Sequence, residues 1–296
     1  MSNIKIKDYF NKNLVIADDD GNENGNETSE AANIQEASEN PIISKETIKR
    51  LACDIKRIIQ EPLDSHNIYY KHDDNDILKG YALIIGPKDT PYAYGAYLFE
   101  FNFPYNYPYS PPKVIFCLSD GITRFNPNFY VNGKVCLSVL NTWKGEQWTG
   151  CQNITSILLA LVTVFTEHSS NPLLNEPGIY KSHRDCRNYS KIIQYKNIDV
   201  AILKLLNNSA NIDIINSKFN HFYNLIVNSF LDNYDNIIEI IKHENKCLLI
   251  DKSNKIISTS IYSMNIKLDY DKLNDHIQTL KSNLNLRDNF KIELNN

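Results

Sequence analysis

The 296-residue sequence lacks most of the features that mark specialised protein classes. Its six cysteines include no Cys-x-x-Cys pair, and the chain has no apolar run of membrane-spanning length and no repeat period. The lack of paired cysteines and of a secretory signal favours a reducing compartment in which the thiols stay free. We therefore expect the protein in the cytoplasm, with the nucleus as a second compartment.

Excess positive charge is also absent. Lysine and arginine total 31 against 35 aspartates and glutamates, which gives a formal net charge of -4. A protein that binds nucleic acid broadly neutralises phosphates with clustered basic residues, and the sequence has no visible cluster of this kind. We therefore expect partners that are proteins or small molecules, with no nucleic acid and no membrane among them.

Both ends of the chain differ from its middle in composition. Residues 1–43 include an acidic, polar tract from Ala17 to Asn40 without hydrophobic period, which predicts a disordered segment. Downstream of about residue 185 the pattern turns helical but is rich in asparagine, which lowers helix propensity. Helices there are expected to depend on packing against the preceding domain.

The first half of the chain predicts one helix and then a sheet. A helix begins after Ser44, whose hydroxyl can cap the first turn. Its apolar stripe consists of Ile48, Leu51, Ala52, Ile55 and Ile59. Four runs rich in β-branched and aromatic residues follow, and their short connections favour an antiparallel meander. These runs are Asn67–Tyr70, Tyr81–Pro87, Ala96–Pro104 and Lys113–Leu118.

The second half predicts helices. The segment Asn153–Glu167 is apolar on nearly all sides, which is typical of a helix buried under a sheet. Further helical runs cover Tyr189–Tyr195 and the stretch from Ile212 to about Glu244. A last helix follows the capping residue Asp269 and carries Leu273, Ile277, Leu280 and Leu284.

Cys136 is a candidate nucleophile. It lies three residues after the turn signal Asn132-Gly133, where side chains tend to be exposed, whereas Cys117 lies inside a strand-like apolar run. We therefore expect the Cys136 sulfur to be presented at the surface.

Two other chemistries of Cys136 are alternatives to this one. A cysteine hydrolase needs a histidine base, and His168 and His183 are the candidates near Cys136 in sequence, although neither has a recognisable setting. A zinc site made of Cys136, Cys151 and His168 lacks the ligand spacing of a closed structural site. Neither alternative is favoured, and no metal is expected.

Four segments in order carry a resemblance to a known family. They are Gly86–Tyr97 (GPKDTPYAYGAY), Phe103–Lys113 (FPYNYPYSPPK), Asn126–Leu137 (NPNFYVNGKVCL) and the loop that ends in Gln147–Gly150 (QWTG). In these segments the chain resembles the ubiquitin-conjugating enzymes, over about residues 44–205. The last two segments and the C-terminal extension are most similar to the large Z type of that family.

The resemblance implies an acyl-transfer function for Cys136. It would accept the C-terminal glycine of ubiquitin, or of a ubiquitin-like modifier, from an activating enzyme as a thioester. It would then pass the modifier to a substrate lysine or to a ubiquitin ligase. A thiolate suits both steps, because it is a strong nucleophile and a good leaving group. No cofactor is expected, since ATP is used by the activating enzyme.

The resemblance also implies roles for the triplet Asn126-Pro127-Asn128. In the family an asparagine eight residues before the cysteine supports the tetrahedral intermediate or holds the catalytic loop, and Asn128 occupies that position. Asn126 stands where the family has histidine, and together with Pro127 it is expected to order the loop through hydrogen bonds. Both roles of Asn128, oxyanion donor and loop-ordering residue, remain open.

A second departure concerns the group that assists the incoming amine. Common family members have an acidic residue two positions after the cysteine, whereas this chain has Ser138. Loss of that carboxylate removes one group that could orient or deprotonate a lysine. Candidates for a substitute are Ser138 itself, Glu146 in the following loop, Asn175 and Glu176, and none is favoured over the others.

Partner-binding positions follow from the resemblance as well. The family meets its activating enzyme and ligases through an aromatic residue in the proline-rich loop, through a second loop and through the first helix. The matching residues here are Tyr109, Thr149, Gly150, Lys45, Lys49 and Lys56. Tyrosine suits such a contact because it combines apolar area with a polar tip.

The fold class expected from all this is α+β. It comprises a disordered acidic segment over residues 1–43, a catalytic domain over 44–205 with a four-stranded antiparallel meander flanked by helices, and a mainly helical extension over 206–296. A competing hypothesis is a catalytically silent scaffold of the same fold that only binds ubiquitin or a ligase. The departures at Asn126 and Ser138 motivate that hypothesis, and the retained cysteine speaks against it.

Overall fold

The computed structural model describes residues 43–207, 218–250 and 256–294. The segment predicted to be disordered therefore lies, except for Ile43, outside the described residues. None of the described helices is long and apolar enough to cross a membrane.

The first helix, α1, spans Lys45–Gln60 and begins where the sequence predicts. The hydroxyl of Ser44 accepts a hydrogen bond of 3.0 Å from the backbone N–H of Thr47, which satisfies one unpaired donor of the first turn. Leu51 and Ile58 are buried, seven residues apart on one face. The prediction that Ile59 lies on this face was wrong. Ile59 is 65% exposed, because it is rotated by about 100° around the helix axis from the buried Ile58.

The four predicted strands form one antiparallel meander, as expected. Consecutive strands are neighbours in the sheet, and each pair is antiparallel. The register places Ile84 opposite both Ile68 and Tyr97, and all three side chains are buried. The strands are β1 (Ile68–His72), β2 (Lys79–Ile85), β3 (Ala96–Asn102) and β4 (Lys113–Phe116).

Helix α2 spans Ile154–Thr166 and supports the region around the candidate site. It begins with a capping box, in which Asn153 and Ser156 exchange side-chain hydrogen bonds with each other's backbone. The ring of Phe165 packs against the sheet, with its centroid 4.8 Å from that of Tyr97. The helix is less enclosed than predicted, since Leu159 on its outer side is 41% exposed.

The chain downstream of the predicted domain is mainly helical, as expected. The run predicted from Ile212 forms two helices separated at Asn233, and its first residues lie outside the described part of the chain. Asp269 caps the last helix, because its carboxylate accepts a hydrogen bond of 3.1 Å from the N–H of Lys272. The helices of the extension are α4 (Tyr223–Asp232), α5 (Tyr234–Ile250) and α6 (Tyr270–Leu294), and α3 (Asp185–Lys196) precedes them inside the predicted domain.

A π-helical segment, Asn197–Lys204, continues α3 and binds the sheet. The buried amide of Asn197 accepts a hydrogen bond of 2.7 Å from the hydroxyl of Tyr97 and donates one of 2.8 Å to the carbonyl of Ala93. Gly95 permits this approach, because a Cβ atom there would lie 1.8 Å from the Asn197 Oδ1. The boundary between the catalytic domain and the extension, predicted between residues 205 and 206, stays a prediction.

A small hairpin in the extension was not predicted. Strands β5 (Ile256–Ser258) and β6 (Asn265–Lys267) pair antiparallel. With three residues each, they are too short to show an alternating pattern that would distinguish them from loop. The hairpin packs against α3, where the side-chain amide of Asn188 donates a hydrogen bond of 3.0 Å to the carbonyl of Ser258.

We predict that His72 in β1 stays neutral in the folded protein down to weakly acidic pH. Burial lowers its pKa from 6.5 to about 4. Its ring nitrogens lie 2.8 Å from the Ile77 carbonyl (Nε2) and 2.8 Å from the Tyr70 hydroxyl (Nδ1), and a neutral ring protonated on Nε2 satisfies both. Because this folded-state pKa lies below the unfolded value, the free energy of unfolding should fall as the pH drops from about 6.5 to about 4.

NMR titration of the imidazole C–H signals measures this pKa directly. The spectrum of His72→Gln assigns the signal. A midpoint for His72 near the unperturbed value of about 6.5 would contradict the prediction.

Candidate active site

The side chain of Asn126 is the centre of a buried hydrogen-bond network. It has no exposed surface. Its amide nitrogen donates to the hydroxyl of Tyr92 at 2.8 Å and to the carbonyl of Val164, near the end of α2, at 3.3 Å. Its amide oxygen accepts from the backbone N–H of Asn128 at 3.0 Å and from the side chain of Asn175 at 3.3 Å. Asn126 therefore joins its loop to the core and to α2.

Two hydrogen bonds pair Asn128 with the backbone of Cys136. The N–H of Cys136 donates to the carbonyl of Asn128 at 2.9 Å. The side-chain amide of Asn128 donates to the carbonyl of Cys136 at 2.7 Å. In this conformation the amide of Asn128 is thus committed to ordering the loop next to the sulfur. Its role as oxyanion donor stays a prediction.

Cys136 is buried, which corrects the expectation that its sulfur is presented at the surface. The residue is 1% exposed, and its neighbours Val135 and Leu137 are 2% and 8% exposed. The turn at Asn132-Gly133 is present, with Gly133 at φ 87°. The exposed part of the chain ends before the cysteine, because the residues after Lys134 are buried in the core.

The segment from Asn141 to Trp148, which we call the covering loop, folds back beside Cys136. The hydroxyl of Thr142 accepts from the N–H of Leu137 at 2.9 Å and lies 2.9 Å from the carbonyl of Val135, so it bridges the two residues that flank the cysteine. At the end of the loop the indole of Trp148 donates to the carbonyl of Pro108 at 2.7 Å. The loop is thereby held closed at both ends.

The four candidates for an assisting group have different surroundings. Ser138 is half-buried, and the covering loop packs on it at Gly145, where a Cβ atom would lie 3.1 Å from the Ser138 Cβ. Glu146 is exposed on the covering loop. Asn175 donates to Asn126 and to the carbonyl of Val164 at 3.1 Å. Glu176 accepts a hydrogen bond from Tyr262, so Asn175 and Glu176 are both engaged elsewhere.

Arg124 is a residue of this region that the sequence did not single out. Its guanidinium donates to the carbonyl of Asn126 at 3.3 Å and to that of Pro127 at 2.6 Å. It also lies 3.4 Å from the ring centroid of Tyr130. Its position before the Asn-Pro-Asn triplet has no spacing signature, so only the folded loop reveals these contacts.

The residues expected to bind partners lie on neighbouring elements. Tyr109 is 70% exposed, and its hydroxyl donates to Glu46 of α1 at 2.8 Å. Arg50 of α1 donates to the carbonyls of Gly150 and Gln152, each at 2.5 Å, and so fixes the second loop against the helix. The remaining expected residues, Lys45, Lys49, Lys56 and Thr149, are exposed.

The other cysteines and histidines have settings of their own. All six cysteines are free, and burial raises the pKa of Cys117 to about 12, which makes that thiol a poor nucleophile. His183 accepts a hydrogen bond of 3.2 Å from the N–H of Asp185, and His168 is exposed. Within the described part of the chain, no three His, Cys, Asp or Glu side chains are grouped so as to hold a metal ion.

Comparison with known proteins gives a consistent result. A family model described as ubiquitin-conjugating enzyme matches residues 50–197, which is half of the chain. Among curated proteins, the chain is similar to three named ubiquitin-conjugating enzyme E2 Z. The one from Danio rerio is 37% identical over 200 residues, which cover 67% of this chain and 58% of the relative. The one from Xenopus tropicalis is 39% identical over 171 residues, which cover 57% of this chain and 53% of the relative. The one from Homo sapiens is 40% identical over 160 residues, which cover 53% of this chain and 44% of the relative. The matched part thus spans about half the length of these relatives.

We predict that the covering loop controls access to the Cys136 thiol. Alkylation by iodoacetamide should be slow at Cys136 and fast at the exposed Cys53 and Cys151. Thr142→Val removes the hydroxyl that bridges Val135 and Leu137 and leaves a buried N–H unpaired. The unpaired N–H should destabilise the closed loop by ~1 to 3 kcal/mol. The loop should therefore open more often, and Cys136 should be alkylated roughly tenfold faster.

Mass spectrometry of each cysteine-containing peptide gives these rates separately. Thr149→Val is the matched control, since it removes an exposed hydroxyl in the next loop. Equal reactivity of Cys136 and Cys53 in the unaltered protein would show that the covering loop does not protect the thiol.

Proposed function

The chain belongs to the ubiquitin-conjugating enzyme family, and on that premise we propose that Cys136 carries ubiquitin, or a ubiquitin-like modifier, as a thioester. The observation that carries this proposal is the pairing of Cys136 with Asn128 on a loop that Asn126 fixes to the core. This arrangement holds a single thiol beside an amide donor at the position that matches the family motif.

The transfer consists of two exchanges at the same carbonyl carbon. In the first, the Cys136 thiolate attacks the thioester between the modifier and the activating enzyme, and the cysteine of that enzyme leaves as a thiolate. In the second, a substrate amine, or a ligase cysteine, attacks the new thioester. Cys136 then leaves as a thiolate, and the attacking nitrogen loses a proton to a base. An amide donor near the developing oxyanion typically supplies on the order of 3 kcal/mol, which is the role proposed for Asn128.

Charging requires the covering loop to move. Cys136 is 1% exposed in the conformation described, so an extended glycine tail needs the surroundings of the sulfur to open before it can react. Lys144, Gly145, Glu146 and Gln147 in the middle of the covering loop are exposed, so displacing them uncovers little apolar surface. Opening therefore depends mainly on release of the Thr142 hydrogen bonds. Arrival of the activating enzyme is proposed to favour that open conformation.

Partner docking is proposed on the surface formed by α1, the loop around Tyr109 and the loop around Thr149. Tyr109 supplies exposed aromatic area, and Lys45, Lys49 and Lys56 supply positive charge. An activating enzyme and a ubiquitin ligase would use this surface in turn, in the cytoplasm and the nucleus. Glu146, on the covering loop, is the carboxylate proposed to approach the incoming amine once that loop has moved.

A charging panel tests the function. The full chain is incubated with different activating enzymes, each paired with different modifiers and ATP, and products are separated on a non-reducing gel. We expect an adduct that thiols destroy, and Cys136→Ser should convert it into an ester that resists thiol but is labile to base. Cys247→Ser is the matched control that should leave charging unchanged, because Cys247 lies on α5, outside both the loop that contains Asn128 and the proposed docking surface.

Two results would contradict the proposal. An adduct that persists as a thioester in Cys136→Ser would place the acceptor elsewhere. Binding of the modifier without any adduct across the panel would instead favour the silent scaffold.

A further inference from the structure

The loop of the β5–β6 hairpin, in the extension, is held in place by a buried carboxylate. Oδ2 of Asp185, the first residue of α3, accepts three hydrogen bonds: from the N–H of Ser260 at 2.8 Å, from its hydroxyl at 2.7 Å and from the N–H of Ile261 at 2.8 Å. Asp185 is 4% exposed. Such an acceptor fixes the backbone just before Tyr262.

Tyr262 adopts a left-handed backbone conformation, with φ 63° and ψ 5°. A non-glycine residue in this region is strained and persists only where the surroundings determine it. The hydrogen bonds to Asp185 supply that constraint. The result is a tyrosine ring that points away from the hairpin and towards the loop that precedes Cys136, where its hydroxyl donates to Glu176.

The ring of Tyr262 packs on Arg124. The guanidinium carbon of Arg124 lies 4.6 Å from the Tyr262 ring centroid and 3.4 Å from that of Tyr130. The same guanidinium donates to the carbonyls of Asn126 and Pro127. Arg124 is thus held by one ring from the extension and one from its own loop, while its donors fix two successive residues of the Asn-Pro-Asn triplet.

The backbone of Arg124 is fixed as well. Its carbonyl accepts a hydrogen bond of 2.7 Å from the hydroxyl of Tyr189 on α3, and the Tyr189 and Tyr262 rings lie 6.0 Å apart between centroids. Tyr189 lies on α3, inside the part of the chain matched by the family model, whereas Tyr262 lies in the hairpin of the extension.

We propose that Tyr262 is a positioning residue for thioester transfer. Its ring holds Arg124, Arg124 holds the carbonyls of Asn126 and Pro127, and these fix Asn128 beside Cys136. The inference rests on the proposed function, since it concerns the rate at which a charged Cys136 gives up its modifier. It assigns to the extension a direct part in shaping the catalytic loop.

The test measures single-turnover discharge of the purified thioester to free lysine. Tyr262→Leu removes the aromatic face and should slow discharge roughly tenfold, as expected for loss of a partly buried cation–π contact. Tyr262→Phe keeps the face and loses only the hydrogen bond to Glu176, so it should stay within about twofold of the unaltered protein. Arg124→Leu also removes the two hydrogen bonds to the triplet, so it should slow discharge at least as much as Tyr262→Leu, and the double variant should be no slower than Arg124→Leu alone, because Tyr262 acts through Arg124.

Tyr234→Leu is the matched control for stability. Tyr234 lies on α5, and the ammonium of Lys281 lies 3.6 Å from its ring centroid, so this change also removes a tyrosine–cation contact of the extension. It should lower the melting temperature about as much as Tyr262→Leu and leave discharge unchanged. A merely structural role for Tyr262 would instead make discharge follow the melting temperature across all these variants.

The outcomes separate this inference from the function it rests on. If the unaltered protein charges and discharges but Tyr262→Leu discharges equally fast, the positioning role is wrong and the function stands. Equal slowing by Tyr234→Leu would also overturn the positioning role. An unaltered protein that is never charged would overturn both.

Discussion

The side-chain amide of Asn126 has no exposed surface, and it makes four hydrogen bonds to groups on four different residues. A buried polar group left without a partner costs ~1 to 3 kcal/mol, so any other path of this loop would be unfavourable at several atoms together. The position of the loop is therefore set by the core and by α2, and the geometry around Cys136 follows from it.

Three further groups extend this constraint outward. Asn128 transmits it to Cys136 through two backbone-directed hydrogen bonds, and Thr142 closes the covering loop across the residues that flank the cysteine. Arg124 connects the same triplet to Tyr262 in the extension. The thiol held in this way is buried in the conformation described. The extension thereby contacts the residue that holds the triplet.

The sequence predicted those features that depend on local signals. The cap at Ser44, the four-stranded meander, the helix after Asn153 and the cap at Asp269 follow from residue type and period, and the structure has all of them. The family resemblance is confirmed as well. The burial of Cys136 could not be predicted from the turn at Asn132-Gly133, because it depends on how the chain packs after Lys134, where Val135, Cys136 and Leu137 are all buried. The short β5–β6 hairpin and the contact of Tyr262 with Arg124 depend on residues far apart in the chain, which leave no periodic pattern. The position of Ile59 was predicted wrongly, because consecutive helical residues are rotated by about 100°, and this single step takes Ile59 off the face on which Ile58 is buried.

The most direct test of the central claim is amide hydrogen exchange in Asn126→Ala. This change removes all four hydrogen bonds of the buried amide while leaving the strands of the sheet intact. The account predicts that the N–H of Cys136, which donates to the Asn128 carbonyl, exchanges at least about tenfold faster, while the N–H of Leu83 in the centre of the sheet keeps its protection. Unchanged protection at Cys136 would contradict the account, because the loop would then be held without Asn126.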